Sequence, residues 1–166
     1  PLLGVVFGGK CATCNQTKHS CPGHFGSIRL VEPVYHVSWL PQLVRKLKKT
    51  KGKFTYDKQK ASVLKDGELF PASECFALMS DPPVVSVLPV PPPHVRPPLI
   101  MDGQIKGLND LTYRLQNVLR KNRQLEKVIF CKRPKEVVDQ AREGLQNAVS
   151  GYINHEKLGP TRRMRN

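Results

Sequence analysis

The chain has 166 residues, with 27 lysines and arginines against 13 acids and a formal net charge of +14. That length supports one ordinary domain or two small modules, and a 39% hydrophobic fraction with 15 prolines and one tryptophan leaves little for a single large core. Such a surface suits a polyanion, nucleic acid first. No apolar run approaches a spanning helix and no signal-peptide pattern opens the chain, which sets a membrane partner aside.

The chain starts at Pro1 rather than methionine, so a piece of something longer is expected. Residues 1–10 end in Phe7-Gly8-Gly9-Lys10, a flexible lead. Cys11-Ala-Thr-Cys14 and Cys21-Pro-Gly-His24 follow, a Cys-x2-Cys-x6-Cys-x2-His spacing. Three thiolates and an imidazole complete a tetrahedral zinc set with no open position, the structural kind of site. Gly23 permits a tight turn and Pro22 fixes it. Buried thiols or disulfides are the alternative reading, and His19 competes with His24 as fourth ligand. Cys75 and Cys131 are taken as reduced, ordinary side chains.

After the knuckle, Ile28 and Leu30 alternate with Arg29, a short strand that Pro33 ends; residues 34–37 make another extended piece. His36 is read as a satisfied, half-buried side chain. Ser38 to Pro41 open a helix, with Ser38 or a neighbour capping it and Leu40, Leu43, Val44 and Leu47 on one face. Between 45 and 60 stand eight basic residues against Asp57, either a phosphate-contacting patch or a solvated loop and helix face. A short helix is expected around Ala72 to Met79, stopped by Asp81-Pro82-Pro83. Residues 84–98 carry too much proline for a central strand or a helix and read as a stiff, polyproline-like strut. Residues 99–108, with Asp102-Gly103 and Gly107, read as a loop.

Asn109-Asp110 caps the next helix, striped by Leu111, Leu115, Val118, Leu125 and Val128. Pro134 suits the first turn of a second, striped by Val138, Ala141, Leu145, Ala148, Val149 and Tyr152. Two helices of about 20 residues, each roughly 30 Å long, make an antiparallel hairpin that projects as a two-stranded coiled coil or packs within a domain. Arg114, Arg120, Lys121, Arg123, Lys127, Lys132, Arg133 and Lys135 are placed on its outer faces and tip, which favours a docking arm. Residues 157–166 are a basic tail. No acidic cluster, phosphate loop or nucleophile motif points to bond-making chemistry within this stretch.

Three features occur in a fixed order: Cys-x2-Cys-x6-Cys-Pro-Gly-His-Phe-Gly-x-Ile-x-Leu (11–30), Pro-Val-Pro-Pro-Pro-x-Val-Arg-Pro (89–97), and Asn-Asp-Leu-Thr-x-x-Leu followed by Arg-Lys-Asn-x-x-Leu (109–125). Together they resemble the N-terminal clamp region of the largest subunit of multisubunit DNA-dependent RNA polymerases, and Met101-Asp102-Gly103 is similar to the bacterial form of the loop before the clamp helices. The resemblance implies an irregular α+β fold: a zinc knuckle with short strands (1–37), a basic helical part of the clamp head (38–80), a proline-rich strut and lid-like loop (81–108), the clamp coiled-coil hairpin (109–154) and a tail leading to a rudder-like segment (155–166).

It further implies structural zinc on Cys11, Cys14, Cys21 and His24, and no catalytic residue here, the magnesium site lying elsewhere in the parent nucleotidyltransferase. Arg96, Lys106, Arg162, Arg163 and Arg165 are the candidate nucleic-acid contacts. Arg120, Arg123, Lys127, Lys132 and Arg133 are the candidate factor-docking residues. Expected partners are template DNA, the RNA–DNA hybrid, the second-largest and other polymerase subunits, initiation factors and a NusG-like elongation factor. The expected location is the nucleus, or the cytoplasm for an archaeal or viral enzyme. Two departures stand out: no second Cys-x2-Cys follows Val37, and the stretch from Trp39 to Met79 is short for the family. A freestanding zinc-dependent nucleic-acid adaptor is the competing reading, and a zinc enzyme is disfavoured by the closed ligand set.

Overall fold

The computed structural model describes residues 10–11, 13–17, 20–48, 52–101 and 104–154. It is an α+β fold of three small antiparallel sheets and four α-helices. Strand β1 (Gly26–Tyr35) pairs with β5 (Val84–Val90). Between them the chain makes helix α1 (Leu40–Leu47), a three-stranded meander of β2 (Phe54–Asp57), β3 (Ser62–Lys65) and β4 (Glu68–Phe70), and the short helix α2 (Cys75–Leu78). Beyond β5 come a hairpin of β6 (Leu99–Met101) and β7 (Gln104–Gly107), then α3 (Asp110–Phe130) and α4 (Lys135–Ile153).

Several local expectations change. Pro33 does not end the first strand. β1 runs through it as a bulge: the register is Arg29 opposite Val87, then Val34 opposite Val85, so Pro33 sits where no ladder hydrogen bond is required. The strut begins as a true strand, with Pro89 opposite Ser27 in a sheet of only two strands, where each strand is an edge and proline is tolerated. Only after Pro92 does it turn, through a 3-10 turn at Pro93–Val95. The expected loop over 99–108 is the β6–β7 hairpin, and the segment 38–80 is as much sheet as helix. Ser38 does not cap α1; Trp39 stands at that position with no side-chain cap.

Two apolar cores result. In the first, α3 and α4 lay Leu115, Val118, Leu125, Ala141, Leu145, Ala148 and Val149 over Ile28, Leu30, Val34, Leu88 and Val90 of the β1–β5 ladder. The helices therefore cover a sheet as well as each other, and the hairpin is seated rather than free along its length. Each fully buried leucine contributes roughly 1.5–3 kcal/mol. In the second, α1 and the meander close around Leu43, Leu47, Phe54, Val63, Phe70 and Cys75, with Tyr35 entering from β1.

Side-chain amides finish what the bulge leaves open. Asn122 of α3 accepts from Val31 N at 2.9 Å and donates to Arg29 O at 3.1 Å. Gln146 of α4 accepts from Tyr35 N at 2.7 Å and donates to Tyr35 O at 2.9 Å. Each carboxamide stands in for a missing strand neighbour; at Tyr35 the bonds are buried, where backbone groups need partners. Between them Arg142 grips Glu32 through two bonds of 2.7 and 2.8 Å.

Candidate metal centre and basic hairpin

The knuckle is folded by its own backbone. Asn15 N–H donates to Cys11 O at 2.7 Å and Cys11 N–H donates to Gln16 O at 2.8 Å, a turn that places Asn15 at φ 57°. A second turn, Cys21 N–H to Thr17 O at 2.9 Å, leads into Cys21. Gly23 then takes φ +88°, and a Cβ there would lie 2.9 Å from Pro92 Cβ and 3.0 Å from His94 Nδ1. Glycine is thus required twice, for the backbone angle and for the close seat of the strut on the knuckle.

The donor atoms of Cys11, Cys14, Cys21 and His24 all lie within 4.8 Å of one another. Cys14 Sγ and Cys21 Sγ are 3.6 Å apart, close to the ~3.8 Å edge of a tetrahedron with Zn–S bonds of about 2.3 Å. His24 Nε2 is buried with no hydrogen-bond partner. Such an orphan is costly unless it serves as a ligand. The N–H groups of Cys14 and Thr13 hold the Cys11 thiol down to about 6, which favours the thiolate a metal needs. The four side chains therefore fit a metal ion.

The other cysteines and histidines are elsewhere. His19 lies outside the described residues. His36 is not in the cluster, and its buried Nδ1 has no partner, so it is not the satisfied histidine expected from sequence. Cys75 is buried and donates to Tyr35 Oη at 3.4 Å, while Tyr35 donates to Phe70 O at 2.9 Å. Burial, with the adjoining Cys75 thiol, pushes the Tyr35 hydroxyl far above its usual range, so it is a neutral donor at any working pH. Cys131 is exposed at the hairpin tip.

Of the nucleic-acid candidates, Arg96 is buried, with Nε on Pro91 O at 3.0 Å and Nη1 by Thr112 Oγ1 at 3.4 Å. It braces the strut against α3 and has little surface to offer a phosphate. Lys106 belongs to β7, its side chain outside the described residues, as are Arg162, Arg163 and Arg165. The docking candidates are all exposed. Arg120, Arg123 and Lys127 are exposed on α3, and Lys132 and Arg133 are exposed in the turn that follows. Arg114 does not join them, being tied to Asp110 at 3.0 Å and to Gly151 O at 2.7 Å. Sequence reasoning missed Phe130, which is 87% exposed beside those cations. Its place at the break in the apolar stripe was the available signal. Of the eight cations between 45 and 60, Lys60 pairs with Glu143 and the described remainder are exposed; Lys49 and Lys51 lie outside the described residues.

With this geometry the family comparison is decisive. Residues 81–166 match the family model "RNA polymerase Rpb1, domain 1". The chain belongs to the Rpb1 family. It is similar to DNA-directed RNA polymerase subunit Rpo1N of Sulfolobus acidocaldarius (24% identical, 96% of this chain, 27% of the relative) and of Methanothermobacter thermautotrophicus (26%, 96% and 27%). It is also similar to DNA-directed RNA polymerase II subunit RPB1 of Euplotoides octocarinatus (21%, 90% of this chain, 50% of the relative). This Rpb1-family chain spans about a quarter of the length of the archaeal relatives. The alignments run over 231 to 239 positions against a chain of 166 residues, so the relatives carry segments with no counterpart here.

Proposed function

We infer that this chain forms the clamp portion of the largest subunit of a DNA-directed RNA polymerase. The observation that carries the reading is a closed Cys3His donor set and a long, basic-tipped helical hairpin bound to one ladder in an Rpb1-family chain. On this reading Cys11, Cys14, Cys21 and His24 hold zinc, which fixes the turns of the knuckle that seat against the strut and does no chemistry. Residues 1–37 are the knuckle, 38–80 the clamp head, 81–108 the strut and lid, 109–154 the clamp coiled coil, and 155–166 lead to the rudder. The magnesium-dependent nucleotidyl transfer belongs to the parent assembly with its second-largest and other subunits, in the nucleus or, for an archaeal or viral enzyme, the cytoplasm.

The clamp grips template DNA and the RNA–DNA hybrid through phosphates, so its contribution is independent of sequence and falls steeply with salt. Lys106, Arg162, Arg163 and Arg165 remain the candidates for this grip; the burial of Arg96 assigns it to bracing. Arg120, Arg123, Lys127, Lys132 and Arg133, with Phe130 as an apolar anchor, form the docking surface for initiation factors and a NusG-like elongation factor.

The test uses the full-length subunit in its assembly. Elemental analysis should find zinc that Cys21→Ser removes. Arg120→Glu with Arg123→Glu should weaken factor binding at least tenfold with zinc content unchanged. Unaltered factor affinity in the double variant would remove the docking role, and zinc-free wild-type protein would remove the metal.

A further inference from the structure

Residues 36–83 leave the β1–β5 ladder and return to it at one point. Tyr35 and Val84 are the last pair of the ladder, and the next residue, His36, donates its N–H to Pro83 O at 3.1 Å. The chain between them builds its own core, which shares no buried residue with the core under the hairpin. The seam between the two holds one small void and one unpartnered polar group. A small open cleft of about 30 Å³ runs along it, with Ser62 and Phe70 on one wall and Leu125, Leu145 and Gln146 on the other. The Ser62 hydroxyl, on a residue only 1% exposed, has no partner.

The attachment is uneven. At the ladder end, Gln146 fixes the Tyr35 backbone on both sides, and the Tyr35 ring reaches on into the second core. Farther out, among the described residues, the polar ties from residues 52–79 to α4 are Lys60–Glu143 at 3.1 Å and Lys135–Glu68 at 2.9 Å. The two lysine side chains are 54% and 72% exposed. Exposed pairs of this kind are weak and are screened by salt.

We propose that residues 36–83 form a hinged flap, pivoting where Tyr35–His36 and Pro83–Val84 run side by side and held shut against α4 by the Lys60–Glu143 and Lys135–Glu68 pairs. Loss of those pairs lets the flap swing away from the hairpin as a unit, because the two cores share no buried residue and the Tyr35 ring that completes the flap's core sits at the pivot.

The experiment is a spin-label distance measurement in the full-length subunit within its assembly, with other reactive surface cysteines, Cys131 among them, replaced. Labels at Gln59→Cys in the flap and Gln140→Cys on α4 report the seam; Gln59→Cys with Ser73→Cys reports the flap interior. At low salt the seam pair should give one narrow distance. Lys60→Ala with Lys135→Ala should add a second, longer distance of comparable population. Salt near 1 M, where the Debye length is about 3 Å, should do the same to the parent and little more to the variant. The interior pair should stay unchanged throughout. A single unaltered seam distance in all four conditions would overturn the proposal. So would broadening of the interior pair, which would mean melting rather than swinging.

Discussion

Gly23 links the metal-binding sequence to the rest of the chain. Its φ of +88° and the 2.9 Å approach of Pro92 to the position of a Cβ leave no room for alanine without moving the strut. Gly23→Ala should therefore cost about 1–3 kcal/mol of backbone strain. On the zinc reading proposed above, the variant should show a lowered melting temperature and lose its metal faster to a competing chelator. Arg142 makes a different point. It joins Glu32 and Asp139 with every side chain about a quarter exposed or less. Arg142→Ala leaves the Glu32 carboxylate half-buried and unpaired, whereas Arg142→Met with Glu32→Gln removes both charges. Urea unfolding should rank the single variant below the double. The reverse order would mean that the pair is held by attraction alone.

Among the elements, the two long helices were the most legible from sequence. Their apolar stripes persist over five turns, and Asn109 caps α3 as expected, accepting from Leu111 N at 2.9 Å. Asn109→Ala should cost about 0.5–2 kcal/mol and Leu125→Ala, at a fully buried position, about 2–5 kcal/mol, both read from denaturant midpoints. The grouping of Cys11, Cys14, Cys21 and His24 was legible too, because their spacing is local. The meander β2–β4 was not. Its strands are three or four residues long, and the lysines around Phe54 and Val63 hide the alternation. A signal did exist: Asp66-Gly67, at φ 53° and 93°, is the two-residue turn that joins antiparallel strands. That dipeptide is hard to read as a hairpin turn because no long apolar run flanks it. The bulge at Pro33 was illegible for another reason: it depends on Asn122 and Gln146, some ninety and more than a hundred residues away.

At the scale of the molecule, no knuckle cysteine or histidine belongs to either large core. Chelating the metal should release residues 11–24 to rapid amide exchange while α3 and α4 stay protected; collapse of the hairpin on chelation would show that the metal holds more than its own turn. The architecture is thus a ladder with a Cys3His knuckle at one end, a helical pair laid on one face, and an excursion between its two strands. That excursion begins and ends at neighbouring backbone positions, His36 and Pro83. A segment whose ends already meet can lengthen, shorten or be exchanged during evolution with little entropic cost to what it is grafted on. Here, then, is a place where the chain can change greatly in length while leaving the ladder and the helices laid on it undisturbed.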